Sequence, residues 1–126
     1  MRDITFRGNR LDVDEWIEGN LRIYPSGRTA IMSKVIGRTL MVDPASVGQF
    51  TGLVDAHGVR IYEGDYISGL FYSGLEVIGK VEFQDGAFGV NWQRGDAEMF
   101  TPFSSTCNIL WEVLGKVYVR EEQSNG

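Results

Sequence analysis

The sequence predicts an all-β protein. Apolar residues recur mostly at every second position, no long stretch has a convincing helical period, and sixteen of the 126 residues are glycine. Alternation is typical of half-buried strands, and abundant glycine with only three prolines favours many tight turns. A chain of this length buries roughly two-thirds of its unfolded surface, enough for one core. We predict a single domain over residues 1–120 and a frayed polar tail over 121–126.

The first third of the chain is predicted to contain short strands. Alternation begins at residues 4–6, continues over 16–23, and returns in a β-prone region over 31–42. An Asp-Pro pair then interrupts the pattern. We predict one short helical turn over residues 44–47, with Asp43 as its N-cap and proline at the first helical position.

The second half contains the clearest element, a β-hairpin over residues 79–92. Apolar residues alternate in both arms, and we expect them, Phe83 included, to face the core. Asp85-Gly86 supplies residues that tolerate positive φ in a tight turn. A last β-prone region covers residues 109–119, and Gly115 within it predicts a bend or bulge.

Residues 48–65, GQFTGLVDAHGVRIYEGD, are rich in glycine and contain histidine and charged residues. This composition fits a functional site, and it also fits a bent hairpin. We predict a strand over 49–53, a tip over 55–58 and a returning strand over 59–62. Gly64 is expected to adopt positive φ and to turn the chain into a further strand. The segment 16–21, WIEGNL, is similar to 61–66, IYEGDY, and predicts a second kink of the same kind.

The charge of the chain argues against phosphate-driven nucleic-acid binding, since the net charge is −5 and the pI is about 4.8. A local basic patch stays open as an alternative, because seven basic residues fall within the first 38 positions. Acidic residues are interspersed among them, which is typical of a solvated mixed surface. The seven are Arg2, Arg7, Arg10, Arg22, Arg28, Lys34 and Arg38.

The composition also excludes several classes of protein. A single cysteine allows no disulfide within the chain, and no apolar run reaches the roughly 18 residues of a membrane span. The N-terminal MRDITFRGNR contains no apolar core of a signal peptide. We therefore expect a cytoplasmic protein that does not enter a membrane.

His57 and Cys107 are the obvious candidates for chemistry. His57 lies between the turn residues Asp55 and Gly58, and an exposed hairpin tip is its simpler interpretation. A metal site would need His or Cys companions, and the chain has no second histidine. Cys107 could act as a nucleophile only if the fold brings it to His57, and a buried inert thiol is the simpler interpretation.

The carboxylates select no catalytic pair by their spacing. Glu63 and Asp65 flank Gly64, which favours a role in the turn, and Glu82 is expected to face solvent. No glycine-rich phosphate motif occurs, and most of the fifteen aromatic residues are expected in the core. We predict no catalytic, cofactor-binding or metal-binding residues and no cofactor. The carboxylates considered are Glu63, Asp65, Glu76, Glu82, Asp85, Asp96 and Glu98.

Long segments of the sequence resemble the YopX-like proteins of bacteriophages and integrated mobile elements. The matching segments are MRDITFRG (1–8), EWIEGNL (15–21), VDPASVGQFTGL (42–53) with Asp55 and Gly58, IYEGD (61–65) with Ile67, and WEVLGKVY (111–118). The resemblance covers nearly the whole chain. It departs from the family after residue 118, where VREE stands in place of an Asn-Pro-Glu-Leu-like tail.

The resemblance implies an all-β fold with a barrel-like core of strongly bent antiparallel strands, and it provides no catalytic residue. The leading hypothesis is a non-enzymatic module that binds another macromolecule, most simply a protein, or assembles with copies of itself. The first alternative is a nucleic-acid-binding accessory protein that uses the N-terminal arginines. The second is an enzyme that uses Cys107 or a carboxylate pair.

Overall fold

The computed structural model describes residues 3–71, 73–106, 109–116 and 118. Over these residues the chain is all-β, as predicted, with eleven strands and two short 3₁₀ helices. The strands are β1 (Phe6–Asn9), β2 (Trp16–Ile23), β3 (Thr29–Ser33), β4 (Thr39–Val42), β5 (Gly48–Val54), β6 (Arg60–Tyr62), β7 (Asp65–Leu70), β8 (Glu76–Gln84), β9 (Ala87–Arg94), β10 (Ala97–Pro102) and β11 (Glu112–Lys116). The 3₁₀ helices are Pro44–Ser46 and Phe103–Ser105. Among the described residues, no helix is long and apolar enough to cross a membrane.

The strands form two antiparallel sheets. The first has six strands in the order β4-β3-β2-β1-β5-β6, and the second has five in the order β10-β9-β8-β7-β11. The sheets are not closed into a barrel, so two open sheets replace the barrel-like core that the resemblance implied. The first sheet is nevertheless strongly bent: Leu11 N donates to Met41 O at 3.1 Å, which brings the end of β4 back to the end of β1.

Each sheet covers its own apolar core. The smaller core lies under the first sheet, and the larger lies under the second and includes Ile61 of β6. The hairpin β5–β6 is hydrogen-bonded into the first sheet, yet it also contributes to the core of the second. The smaller core consists of Ile17, Ile31, Leu40 and Val42. The larger consists of Ile61, Ile67, Val77, Val81, Val90, Trp92, Phe103 and Trp111.

The local turn signals of the sequence are confirmed. The Asp43 carboxylate accepts a hydrogen bond from Ala45 N at 3.0 Å and caps the first 3₁₀ helix. Strands β8 and β9 form the expected hairpin, with Asp85 at φ 50° and Gly86 at φ 81° in its turn. The pairing of β11 with β7 shifts register next to Gly115, as a bulge requires.

Two side-chain environments differ from the prediction. Phe83 is 52% exposed and packs only at the sheet's end, against Phe88 at 4.9 Å between ring centroids. Phe83 points to the same side of β8 as the buried Val77 and Val81, but it lies beyond the residues of β8 that pair with β7. Gly19 is not a kink: it lies within β2, where an added Cβ would be 1.8 Å from Met32 O.

Residues 109–116 and 118 are the described part of the last predicted strand region, 109–119. Strand β11 covers Glu112–Lys116 of the predicted region 109–119. Strand β10 was not predicted. Arg2, Cys107 and the predicted tail over 121–126 lie outside the described residues.

Candidate functional site at the junction of the two sheets

Residues 48–65 carry the chain from the first sheet to the second. The hairpin β5–β6 belongs to the first sheet, and β7 begins the second. Gly64 lies between them at φ 92°, and its amide donates to Val81 O at 2.9 Å. The predicted kink is therefore confirmed, because a left-handed backbone at this glycine turns the chain from one sheet into the other.

A buried ion pair joins the two sheets beside this kink. Arg7 Nη2 of β1 is 2.8 Å from Asp65 Oδ1 of β7, and the side chains are 8% and 1% exposed. Asp65 Oδ2 also accepts a hydrogen bond from Tyr62 N at 2.9 Å. The Arg7 guanidinium lies 5.2 Å from the ring centroid of Trp16 and 4.8 Å from that of Tyr62. The expected surface position of Arg7 is wrong, since its charge is neutralised by Asp65 in the interior. Asp65 has the expected turn role through its bond from Tyr62 N, and it also has the ion pair, which was not predicted.

Asp55 makes the second connection between the sheets. Its Oδ1 accepts hydrogen bonds from His57 N at 2.8 Å and Val59 N at 2.9 Å, which close the hairpin tip. Its Oδ2 accepts from Val113 N of β11 at 3.0 Å. Burial alone would raise the pKa of Asp55, but the three backbone N–H groups hold that pKa below its ordinary value. The carboxylate thus fixes the tip of one sheet to the last strand of the other.

His57 occupies the exposed tip of this hairpin. Its side chain is 67% exposed, and Nε2 lies 4.0 Å from Glu112 Oε1, whose side chain is 58% exposed. Cys107, its proposed catalytic partner, lies outside the described residues. Within the described part of the chain, no three His, Cys, Asp or Glu side chains gather where they could hold a metal ion.

Two pairs of the carboxylates considered for acid–base chemistry lie near each other. Glu82 and Glu98 accept hydrogen bonds from the same Asn91 Nδ2, at 2.9 and 2.6 Å, and Glu63 and Glu82 line the same cavity. Glu63 Oε1 accepts a hydrogen bond from Gln49 N at 3.3 Å, and Glu82 Oε1 accepts from Asn91 Nδ2 at 2.9 Å. The bond from Asn91 holds the pKa of Glu82 below its ordinary value, which disfavours a general-acid role. The other carboxylates considered lie on strand ends, turns and the outer surface, and none of them lines that cavity. They are Glu76, Asp85, Asp96 and Glu98.

The cavity that contains Glu63 and Glu82 is a cleft of about 480 Å³ between the two sheets. Trp16 and Arg7 form its wall on the first sheet, and the end of β8 with the exposed Phe83 forms its wall on the second. Tyr118 also lines it, with Oη 2.5 Å from Asp43 Oδ2 and its ring edge-on to Trp16. We call this cavity the large cleft. Its volume is in the range of small-molecule and side-chain binding sites.

A second cavity of about 260 Å³ lies next to the large cleft and shares Arg7 and Trp16 with it. We call it the small cleft. Arg7 of β1, Arg60 of β6 and Lys116 of β11 all line it, and Glu18 is its one acidic lining residue. Lys116 Nζ lies 4.9 Å from the ring centroid of Trp16.

Tyr62 completes the wall of the small cleft. Burial raises the pKa of Tyr62 to about 12, and the charge of Glu18 acts in the same direction. The phenol is therefore neutral at ordinary pH. The sequence contained no motif for either cleft, because the lining residues come from strands far apart in the chain.

Two of the seven N-terminal basic residues, which were considered as an alternative basic patch, are already paired with carboxylates. Arg7 is buried against Asp65. Arg10 contacts Asp12 at 2.6 Å and Glu15 at 3.1 Å. These two arginines already have carboxylate partners and are poorly placed to bind nucleic-acid phosphates.

The family model described as YopX protein matches residues 5–122. Since the match covers nearly the whole chain, the protein belongs to the YopX family. No curated protein matches the chain.

Proposed function

We propose that this YopX family member is a non-enzymatic interaction module of a phage or other mobile element, which acts in the bacterial cytoplasm by binding a protein partner in the large cleft. Family membership supports the mobile-element origin. The single cysteine favours a reducing compartment such as the cytoplasm. The chemistry of the cleft walls supports the binding role.

One observation carries the binding proposal: the large cleft has an exposed aromatic ring on one wall. Phe83 is 52% exposed at the end of β8, and Trp16 and Tyr118 line the same space. Aromatic side chains dominate the energetics of protein interfaces because they bury a large area at low conformational cost. A cleft of about 480 Å³ can accept one or two side chains of a partner.

A non-enzymatic role is favoured because four of the described carboxylates are already engaged. Asp55 and Asp65 accept backbone hydrogen bonds that join the sheets. Glu63 and Glu82, which share the large cleft, accept hydrogen bonds from Gln49 and Asn91. A carboxylate that is held ionised by donors is poorly suited to donate a proton to a leaving group.

The proposal is tested with a matched pair of variants on strand β8. Phe83 and Ile78 are 52% and 54% exposed, but only Phe83 lines the large cleft. Tagged wild type, Phe83→Ser and Ile78→Ser are used to isolate partners from a lysate of the bacterial host, with quantitative mass spectrometry. We expect one protein whose recovery falls about tenfold or more with Phe83→Ser and is unchanged with Ile78→Ser.

Equal recovery with both variants would contradict the cleft as the binding site. The mass in solution, measured by light scattering, distinguishes the self-assembly alternative. If Phe83→Ser converts an oligomer to a monomer, a second copy of the chain is the occupant of the large cleft. Unpaired edge strands are a general route to such assembly, and β10 lies at a sheet edge.

A further inference from the structure

We propose that the small cleft binds the carboxylate of an acidic side chain in an extended segment of the partner, and that an apolar side chain two residues away enters the large cleft. This inference rests on the proposed function and names the chemistry of the partner. Most of the charged residues that line the small cleft are cationic, whereas the chain as a whole carries a net negative charge.

Three cationic side chains converge on the small cleft although the chain has a net charge of −5. Arg7, Arg60 and Lys116 come from three different strands, and Glu18 is the one acidic residue in the lining. Arg7 is neutralised by Asp65, which leaves Arg60 and Lys116 as the groups that attract an anion. Walls of low dielectric constant, here the rings of Trp16 and Tyr62, strengthen such attraction because they exclude water.

Neither Arg60 nor Lys116 is held in a tight ion pair by a carboxylate among the described residues. Arg60 Nη2 lies 3.3 Å from Asp3 Oδ2, with the two side chains 43% and 46% exposed, and exposed pairs of this kind exchange partners at little cost. Lys116 Nζ contacts the Trp16 ring, and no ion pair of Lys116 with a described carboxylate is present. An incoming carboxylate can therefore accept hydrogen bonds from both cations.

The size and charge of the small cleft favour a carboxylate over a nucleic-acid phosphate. A volume of about 260 Å³ is at the lower limit of ligand pockets and suits one side-chain head group. Glu18 at the rim and the net charge of −5 oppose a polyanion. The two clefts share Trp16 and Arg7, so they adjoin. An extended peptide can therefore place an acidic side chain in one cleft and an apolar side chain two residues away in the other, because alternate residues face the same side.

The test uses two matched peptides and NMR. The ¹⁵N-labelled protein is titrated with acetyl-Leu-Ala-Glu-Ala-Leu-amide, whose leucines lie two residues from Glu, and with its twin in which Gln replaces Glu. The indole N–H of Trp16, assigned with Trp16→Phe, and the amide of Lys116 report on the small cleft. We expect saturable shifts with the Glu peptide at concentrations up to about 10 mM, and an affinity about fivefold or more weaker for the Gln peptide.

Two charge-matched variants separate a local from a general effect. Lys116→Gln should weaken binding of the Glu peptide about fivefold, whereas Arg94→Gln, which removes the same charge outside the clefts, should leave it unchanged. Equal affinity for the two peptides, or equal effects of the two variants, would overturn the inference. Tighter binding of a dodecamer of deoxythymidylate at the same signals would overturn it in favour of nucleic acid.

The result also separates this inference from the function on which it rests. If Phe83→Ser loses the cellular partner while the Glu and Gln peptides bind alike, the carboxylate site is refuted and the large cleft stands. If Phe83→Ser retains the partner, the proposed function fails whatever the peptides do.

Discussion

Replacing Asp65 with asparagine should destabilise the fold by about 3 kcal/mol, because it leaves the Arg7 guanidinium buried without its counter-charge. The two side chains are 8% and 1% exposed, so water cannot replace the lost carboxylate. Removal of one partner of a buried pair commonly costs about 3–5 kcal/mol. We expect the lower end, because asparagine can still accept from Tyr62 N and the rings of Trp16 and Tyr62 still face the cation.

The assay is urea unfolding followed by tryptophan fluorescence, with melting temperature as a second measure. A loss of 3 kcal/mol corresponds to a fall of roughly 12 °C for a domain of this size. The double variant Arg7→Met/Asp65→Asn should regain much of the lost stability, since no uncompensated charge stays buried. Asp12→Asn provides the control: its pair with Arg10 is short at 2.6 Å, but Asp12 is 59% exposed.

We expect Asp12→Asn to change the unfolding midpoint much less than Asp65→Asn, because exposed pairs contribute little. The reasoning would be refuted if Asp65→Asn cost less than about 1 kcal/mol, or if the effects of Arg7→Met and Asp65→Asn simply added.

Three further changes test the junction between the sheets. Gly64→Ala should lower the free energy of unfolding in urea by about 1 kcal/mol or more, because Gly64 is at φ 92°. Gly115→Ala is the control and should cost much less, because an added Cβ there meets no atom within 4 Å. Equal losses would contradict the argument from φ. The lowered pKa of Asp55 means that its contribution to stability is present above about pH 4 and is lost as pH falls through the lower folded pKa. Asp55→Asn should therefore flatten the acid side of the stability profile, and an unchanged profile would refute this role. The pKa of Tyr62, raised to about 12, means that its contribution is complete below about pH 10 and is lost as pH rises to about 12. Tyr62→Phe should remove this alkaline loss, measured by unfolding at pH 9 to 12, and the same loss in both proteins would contradict the assignment.

The sequence predicted the elements whose signals are local. The N-cap at Asp43, the turn at Asp85-Gly86 and the bend at Gly64 each depend on the conformation of one or two residues, and all three are present. Strand β10 was not predicted. Residues 97–99 are all exposed, so this strand lacks the alternation of buried and exposed side chains on which the sequence pattern of a strand depends. Phe83 was predicted in the core but is exposed. Alternation along the sequence shows which face of a strand a side chain lies on, but it does not show whether another element packs over that face.

The junction could not be predicted because its contacts join distant parts of the chain. Asp65 stands beside a turn glycine, and that neighbourhood alone favours a turn role. One signal was available: Asp65 alternates with Ile67 and Gly69, which are the inward positions of β7. A carboxylate at an inward position needs buried hydrogen-bond donors or a cation, but the sequence does not show which partner applies or which arginine would supply it.

Native-state hydrogen exchange at the amides of Tyr62 and Val113 tests the central claim most directly. These amides donate to the carboxylates of Asp65 and Asp55, the two aspartates that join the sheets. We expect both to exchange as slowly as the core amides of the second sheet, and only when the whole molecule unfolds. Fast exchange at both amides while the core stays protected would mean that the junction opens independently and that residues 48–65 do not hold the two sheets together.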